Sequence, residues 1–206
     1  MSRPPLLPLR PLPRARRGLA AALLGLPLLA ATLLAPLSAQ AKGEVAPDFS
    51  LRDIDNNEVH LSDFRGQVVL MDFWATWCGP CMLELPRIQE IYSDLKDQGF
   101  VVIGVSTDDA RDASKVKPLV KAKRLTFPVV LDKDTAVVSQ YNPNKTLPYT
   151  VIIDREGRIL AVHQGYNAGD ESGIRQEVEA ALAEGGAGAT PSTAPATGAT
   201  SPATGE

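Results

Sequence analysis

Residues 72–81 read Asp72-Phe73-Trp74-Ala75-Thr76-Trp77-Cys78-Gly79-Pro80-Cys81. The stretch joins an apolar run, residues 68–74, to the start of a helical segment, and it contains both cysteines of the chain. Cysteines at i and i+3 share a helical face, so their α-carbons can reach the separation a disulfide requires. A loop this small staples nothing at long range, which points to a bond that is used rather than merely kept. Cys78 comes first, at the helix N-terminus, where unpaired N–H groups and the positive end of the helix dipole favour a thiolate. Cys81 lies one turn inside. Pro80 is tolerated because a first-turn residue needs no helical N–H, and Gly79 removes side-chain bulk beside the first sulfur.

Outward from this segment, four short apolar runs stand out: 68–74, 100–106, 127–131 and 149–153. Each is nearly continuous in Val, Ile, Leu or Phe, the pattern of strands buried on both faces. Helical stretches at 82–98 and about 113–123 separate the first three. The alternation predicts an α/β fold with a mainly parallel central sheet and helices on its faces. Asp154-Arg155-Glu156-Gly157 followed by 158–163 is a hairpin signal, and an amphipathic helix is expected over about 170–184. Residues 49–61 suggest two short strands leading into the sheet.

The ends differ from this body. The first 41 residues carry Arg3, Arg10, Arg14, Arg16 and Arg17 and no acid, followed within them by an apolar stretch from Leu19 to Leu37 and then Ala39-Gln40-Ala41. This is the layout of a signal peptide cut after Ala41; an uncleaved anchor is the alternative, since the stretch is close to the ~20 residues that span a bilayer. Either way, the domain at 42–184 is expected on the extracytoplasmic side. Residues 185–206 are Gly, Ala, Thr, Pro and Ser with little apolar bulk, a composition expected to stay disordered. Without the first 41 residues, 16 Lys and Arg face 24 Asp and Glu. An acidic body argues against nucleic acid or an anionic membrane surface as a partner.

The segment 72–81 resembles the active site of the thioredoxin superfamily. Glu84-Leu85-Pro86 after it, and Ala46-Pro47-Asp48-Phe49-Ser50-Leu51 before it, resemble the periplasmic TlpA/ResA-like branch of thiol–disulfide oxidoreductases. The resemblance covers 44–184. It implies a thioredoxin-like fold, a central mixed sheet flanked by helices, with a strand–helix insertion that the 113–131 stretch fits. It also implies dithiol–disulfide exchange at Cys78 and Cys81 without a cofactor, and a client protein bearing a disulfide. Pro148 matches the cis-proline facing the cysteines, which leaves the backbone of Leu147 free to pair with a client strand. Asp72, an acid inside an apolar strand, should have a raised pKa; its place matches the buried acid that takes the proton of the second cysteine. That place is more often Asn in the TlpA/ResA-like branch. Glu84 shares a helical face with Cys81 and matches a redox-tuning acid. Trp77 is expected at the client surface and Trp74 in the packing. Gly-Pro between the cysteines favours a reductase, which outside the cytoplasm needs a membrane electron-donor protein. By the same likeness, the client is the cysteine pair of an apocytochrome c or the cysteines of a copper site. The protein is expected to be a monomer.

Three other readings compete. Zinc would need His60 and His163 to join the cysteines, but structural zinc sites bring a second closely spaced pair. A peroxiredoxin-like peroxidase would need Pro and Thr where the chain has Met71 and Ala75. A dithiol holding Cu(I) for delivery suits soft thiolates, but no Met or His motif accompanies it.

Overall fold

The structure is a computed structural model that describes residues 43–184. The expected leader, 1–41, and the expected tail, 185–206, lie outside the described residues. Among the described residues seven strands form one sheet in the order β2-β1-β5-β4-β3-β6-β7. The strands are β1 Ser50–Asp53, β2 Glu58–His60, β3 Val68–Trp74, β4 Phe100–Ser106, β5 Val129–Leu131, β6 Tyr149–Ile153 and β7 Ile159–Gln164. The helices are α1 Gly79–Leu95, α2 Val116–Ala122, α3 Ala136–Tyr141 and α4 Glu171–Glu184. Among the described residues no helix is long and apolar enough to cross a membrane.

The continuous apolar runs at 68–74 and 100–106 are central strands in which every residue is buried. Because side chains alternate along a strand, each run feeds two cores. Val68, Leu70 and Trp74 of β3, with Phe100 and Val102 of β4, pack with Leu85, Ile88 and Ile91 of α1 and with Ile174 and Val178 of α4. Val69, Met71 and Phe73, with Val101, Ile103 and Val105, pack on the other face with Val137, Val138 and Tyr141 of α3 and with Ala46, Phe49 and Leu61 of the N-terminal segment. The parity puts Asp72 on the α1 face of the sheet.

The sheet is mixed, as the family likeness implies, but it is not mainly parallel. Only β3–β4 and β4–β5 run parallel; the β1–β2, β1–β5, β3–β6 and β6–β7 pairs are antiparallel. The alternation of strands and helices gives the direction of the central trio, joined through α1 and α2, but not that of β6, which follows α3 and still runs antiparallel to β3. The stretch 113–131 supplies α2 and β5 and so inserts a strand between β4 and β1.

Two local features depart from the sequence reading. The third run begins pairing at Val129, because Pro128 has no N–H for the ladder and Phe127 packs into the α1-side core. The short helix α3 was not expected. Its N-terminus is held by Asp132, whose carboxylate accepts the N–H groups of Val137 at 3.1 Å and Val138 at 2.8 Å. The hairpin at 154–158 forms as expected: Gly157 adopts φ 81° and Asp154 accepts the Arg158 N–H at 2.7 Å.

Gly104, in the middle of β4, leaves the space that seats Trp74. A Cβ there would lie 2.9 Å from a Phe127 ring carbon and 3.2 Å from Trp74 Nε1. Overpacking of a filled core costs about 1–3 kcal/mol. Gly104→Ala should therefore lower the midpoint of urea unfolding by that order without changing its slope; an unchanged midpoint would show that the site has slack.

Candidate active site

The site is assembled where β3 stops and α1 begins. The chain leaves the core at Trp74, makes a turn closed by the Cys78 N–H on the Ala75 carbonyl at 3.0 Å, and enters α1. Cys78 is the N-cap of the helix, with φ −82° and ψ 104°. Its Sγ accepts the N–H of Cys81 at 3.2 Å, so the sulfur does what a capping oxygen does elsewhere: it satisfies a first-turn donor that has no carbonyl partner. The two cysteines form a disulfide with their α-carbons 5.3 Å apart. Cys78 is 5 % exposed and Cys81 not at all. What exposure the pair has therefore belongs to Cys78.

The turn before Cys78 is tied down by a residue the sequence reading missed. Asp108 is fully buried. Its carboxylate accepts the Thr76 N–H at 2.9 Å, the Thr76 hydroxyl at 2.5 Å and the Ser106 hydroxyl at 2.8 Å. Thr107 adds its N–H to the Trp74 carbonyl at 2.9 Å. The available signal was the polar triplet Ser106-Thr107-Asp108 at the C-terminal end of a buried parallel strand, the edge where such sheets build their sites.

Behind the disulfide lie two acids. Asp72 is fully buried, and neither carboxyl oxygen has a hydrogen-bond partner among the described residues. Glu84, 1 % exposed, accepts the Thr150 hydroxyl at 3.1 Å through Oε1, while Oε2 has no such partner. Thr150 stands directly across from Asp72 in the β3–β6 ladder, so the residue that bonds the helix acid is the cross-strand neighbour of the strand acid. Burial pushes the Asp72 carboxyl well up from its ordinary value, and the neighbouring Glu84 adds to this. Burial likewise raises Glu84 to about 7, against the lowering effect of Thr150 and with a further push from Asp170.

The remaining expected residues surround the disulfide. Trp77 is 66 % exposed, immediately before Cys78. The Leu147–Pro148 peptide bond is cis, as expected. Tyr149 pairs with Phe73, so continuing the register by one residue sets Pro148 level with Trp74, where β3 gives way to the cysteine turn. Leu147 packs on the cluster that contains Cys78 and Cys81, and its backbone N–H and carbonyl make no hydrogen bond among the described residues. Trp74 is fully buried packing. His60 ends β2 and His163 lies in β7, at opposite edges of the sheet, so the two cannot converge with the cysteines on one metal ion. Met71 and Ala75 are fully buried and offer the site no hydroxyl.

The comparisons agree with this geometry. The family model described as AhpC/TSA family matches residues 42–162. Thiol-disulfide oxidoreductase ResA of Geobacillus kaustophilus is 38% identical over 128 residues, 62% of this chain and 72% of that protein. ResA of Bacillus subtilis is 36% identical over 125 residues, 61% of this chain and 68% of that protein. A structure from Chlorobium tepidum, assigned as thiol:disulfide interchange protein DsbE, superposes with a TM-score of 0.63 at 33% identity, covering 68% of this chain and 97% of its own.

The raised acids make stability fall with pH. Where a folded-state pKa exceeds the unfolded one, the native state holds the extra proton; the penalty is absent below the unfolded value and complete above the folded one. For Glu84 that window runs from about 4.5 to about 7. Glu84→Gln should stabilise the oxidised protein by about 1–3 kcal/mol at alkaline pH and scarcely at all under acid conditions. Urea titrations at both ends of the window check this, and a pH-independent difference would refute the burial argument.

Proposed function

The chain belongs to the thioredoxin-like AhpC/TSA family and is a protein thiol–disulfide oxidoreductase, and on that premise we propose that it works as a reductase of disulfides in exported client proteins. The observation that carries the reading is the Cys78 sulfur at the N-cap of α1, accepting a helix N–H, with Cys81 buried directly behind it. A thiolate at that place gains a charge-assisted hydrogen bond and the helix dipole.

In the proposed cycle the Cys78 thiolate attacks one sulfur of a client disulfide and expels the other as a thiolate. A mixed disulfide results. The Cys81 thiol, buried and unreactive as long as it is protonated, gives its proton to the Asp72–Glu84 pair and attacks Cys78 Sγ. The client leaves reduced, with both its electrons supplied by the two cysteines, which end as the observed disulfide. Asp72 and Glu84 are thus the proton acceptors and the two cysteines the redox pair. Trp77, Leu147 and Pro148 form the surface for the client. The exposed indole offers apolar contact, and the unpaired backbone of Leu147 can add a client segment as a strand.

Turnover requires that the disulfide be reduced again. In an oxidising extracytoplasmic compartment the electrons must come across the membrane, so a membrane electron-donor protein is the proposed partner of a monomeric reductase. Residues 1–41 would provide export, and a cytochrome c or copper-site cysteine pair is the proposed client. The proton goes to Asp72 or Glu84 and the electrons to the client, so the scheme needs no cofactor.

Two outcomes test this. Cys81→Ser should leave Cys78 joined to its client as a mixed disulfide that mass spectrometry can identify, whereas Cys78→Ser should trap nothing; equal trapping by both variants would exclude the assigned order. The release step should accelerate as pH rises through about 7, where Glu84 ionises. Glu84→Gln should lose that inflection and slow release by about 10- to 100-fold at neutral pH. An unchanged profile would remove Glu84 from the chemistry.

A further inference from the structure

The helix that carries the redox groups is denied one of its own hydrogen bonds by its sequence. Pro86 sits inside α1. A proline has no N–H, so the carbonyl four residues earlier loses its helical donor, and the ring crowds it as well. That carbonyl belongs to Met82, the residue after Cys81. Cys78, Cys81 and Glu84 all lie on the N-terminal side of Pro86. The short leading segment is thus joined to the rest of α1 by an incomplete ladder.

The lost donor is replaced from another element. Lys123 Nζ donates to the Met82 carbonyl at 2.9 Å. Lys123 is the C-cap of α2, and its backbone is held by a complete Schellman closure. The Arg124 N–H meets the Lys121 carbonyl at 3.1 Å and the Leu125 N–H meets the Val120 carbonyl at 3.0 Å. Arg124 takes the left-handed conformation at φ 56°, and Val120 and Leu125 are both buried in the α1-side core. Three residues further on, the Thr126 N–H donates to Gln89 Oε1 at 2.7 Å and Gln89 Nε2 donates to the Thr126 hydroxyl at 3.0 Å. The segment 123–126 therefore braces α1 on both sides of Pro86, at Met82 and at Gln89.

We propose that Lys123 is a positioning residue for the exchange reaction: its ammonium holds the Met82 carbonyl freed by Pro86, fixes the leading segment of α1, and favours negative charge on Cys78. The inference deepens the proposed function and rests on Cys78–Cys81 being the exchange site. A lysine is a cation where a backbone N–H would be neutral. Without it, the segment bearing the thiols would end in an unpaired carbonyl dipole whose negative end has no counter-charge. Both changes disfavour the thiolate, and hence the dithiol form, relative to the disulfide.

The test compares Lys123→Met, Lys123→Gln and Lys123→Arg with the wild-type protein, reading the Cys78 thiol pKa and the equilibrium with glutathione. Lys123→Met should raise the Cys78 pKa and shift the equilibrium toward the disulfide by about 3- to 10-fold, equivalent to ~15–30 mV. Lys123→Arg, which keeps charge and donor, should restore both. Lys123→Gln, which keeps a donor without the charge, should fall between them and serves in place of the Met variant if that fails to fold. A lysine that only fastened α2 to α1 would change unfolding midpoints and leave the thiol pKa untouched. Wild-type values of pKa and potential in folded Lys123→Met or Lys123→Gln, or no rescue by arginine, would overturn the proposal. Failure of the wild-type protein to cycle with glutathione at all would instead overturn the exchange site itself.

Discussion

A sulfur atom occupies the N-cap of α1, and the surrounding structure is organised around keeping it there. The first turn of any helix carries N–H groups with no carbonyl to meet. In this chain one of them meets Cys78 Sγ. The position of that sulfur depends on three supports. β3 is buried on both faces and delivers the chain to the turn without freedom to slide. Asp108 fastens the turn at Thr76. Gly104 admits the Trp74 indole, the last large side chain before the turn. On the far side Pro86 weakens the helix and Lys123 makes good the missing bond.

The acids behind the disulfide work against folding. Two carboxyl groups in one core, with three of their four oxygens lacking partners among the described residues, cost free energy at neutral pH. Fold stability alone would favour apolar side chains at both places. Their presence makes sense where a buried thiol must lose a proton during each cycle, since an acid with a pKa near the working pH exchanges protons in both directions. Thr150 of β6 bonds the helix acid and faces the strand acid across the ladder, so Glu84 answers to the geometry of β6 as well as of α1.

Much of this was legible in the sequence, and the parts that were not were hidden for separate physical reasons. The central strands stood out because burial on both faces demands an unbroken apolar run, and the observed β3, β4 and β6 coincide with the runs at 68–74, 100–106 and 149–153. The cysteine pair, the cis bond before Pro148 and the burial of Asp72 followed from the motif and its position. Apart from the β6–β7 hairpin, whose turn residues announced it, strand direction outside the central trio did not, because no local pattern shows which neighbour β1 and β6 pair with. The helix α3 was hidden because six residues with two adjacent valines show no helical period. The partners of Asp108 and Lys123 were hidden for a different reason: they lie 32 and 41 positions away, and no spacing rule connects such pairs, although the polar triplet at 106–108 marked the end of its strand as a place to look.

The central claim is that the helix terminus ionises the first thiol. The direct measurement is the pH dependence of Cys78 alkylation in the reduced protein, with thiolate absorbance as a second readout. The account predicts an apparent pKa at least one unit below the ~8.5 of free cysteine, with Cys81 remaining unreactive over the same range. A Cys78 pKa at or above that of the free amino acid would contradict it.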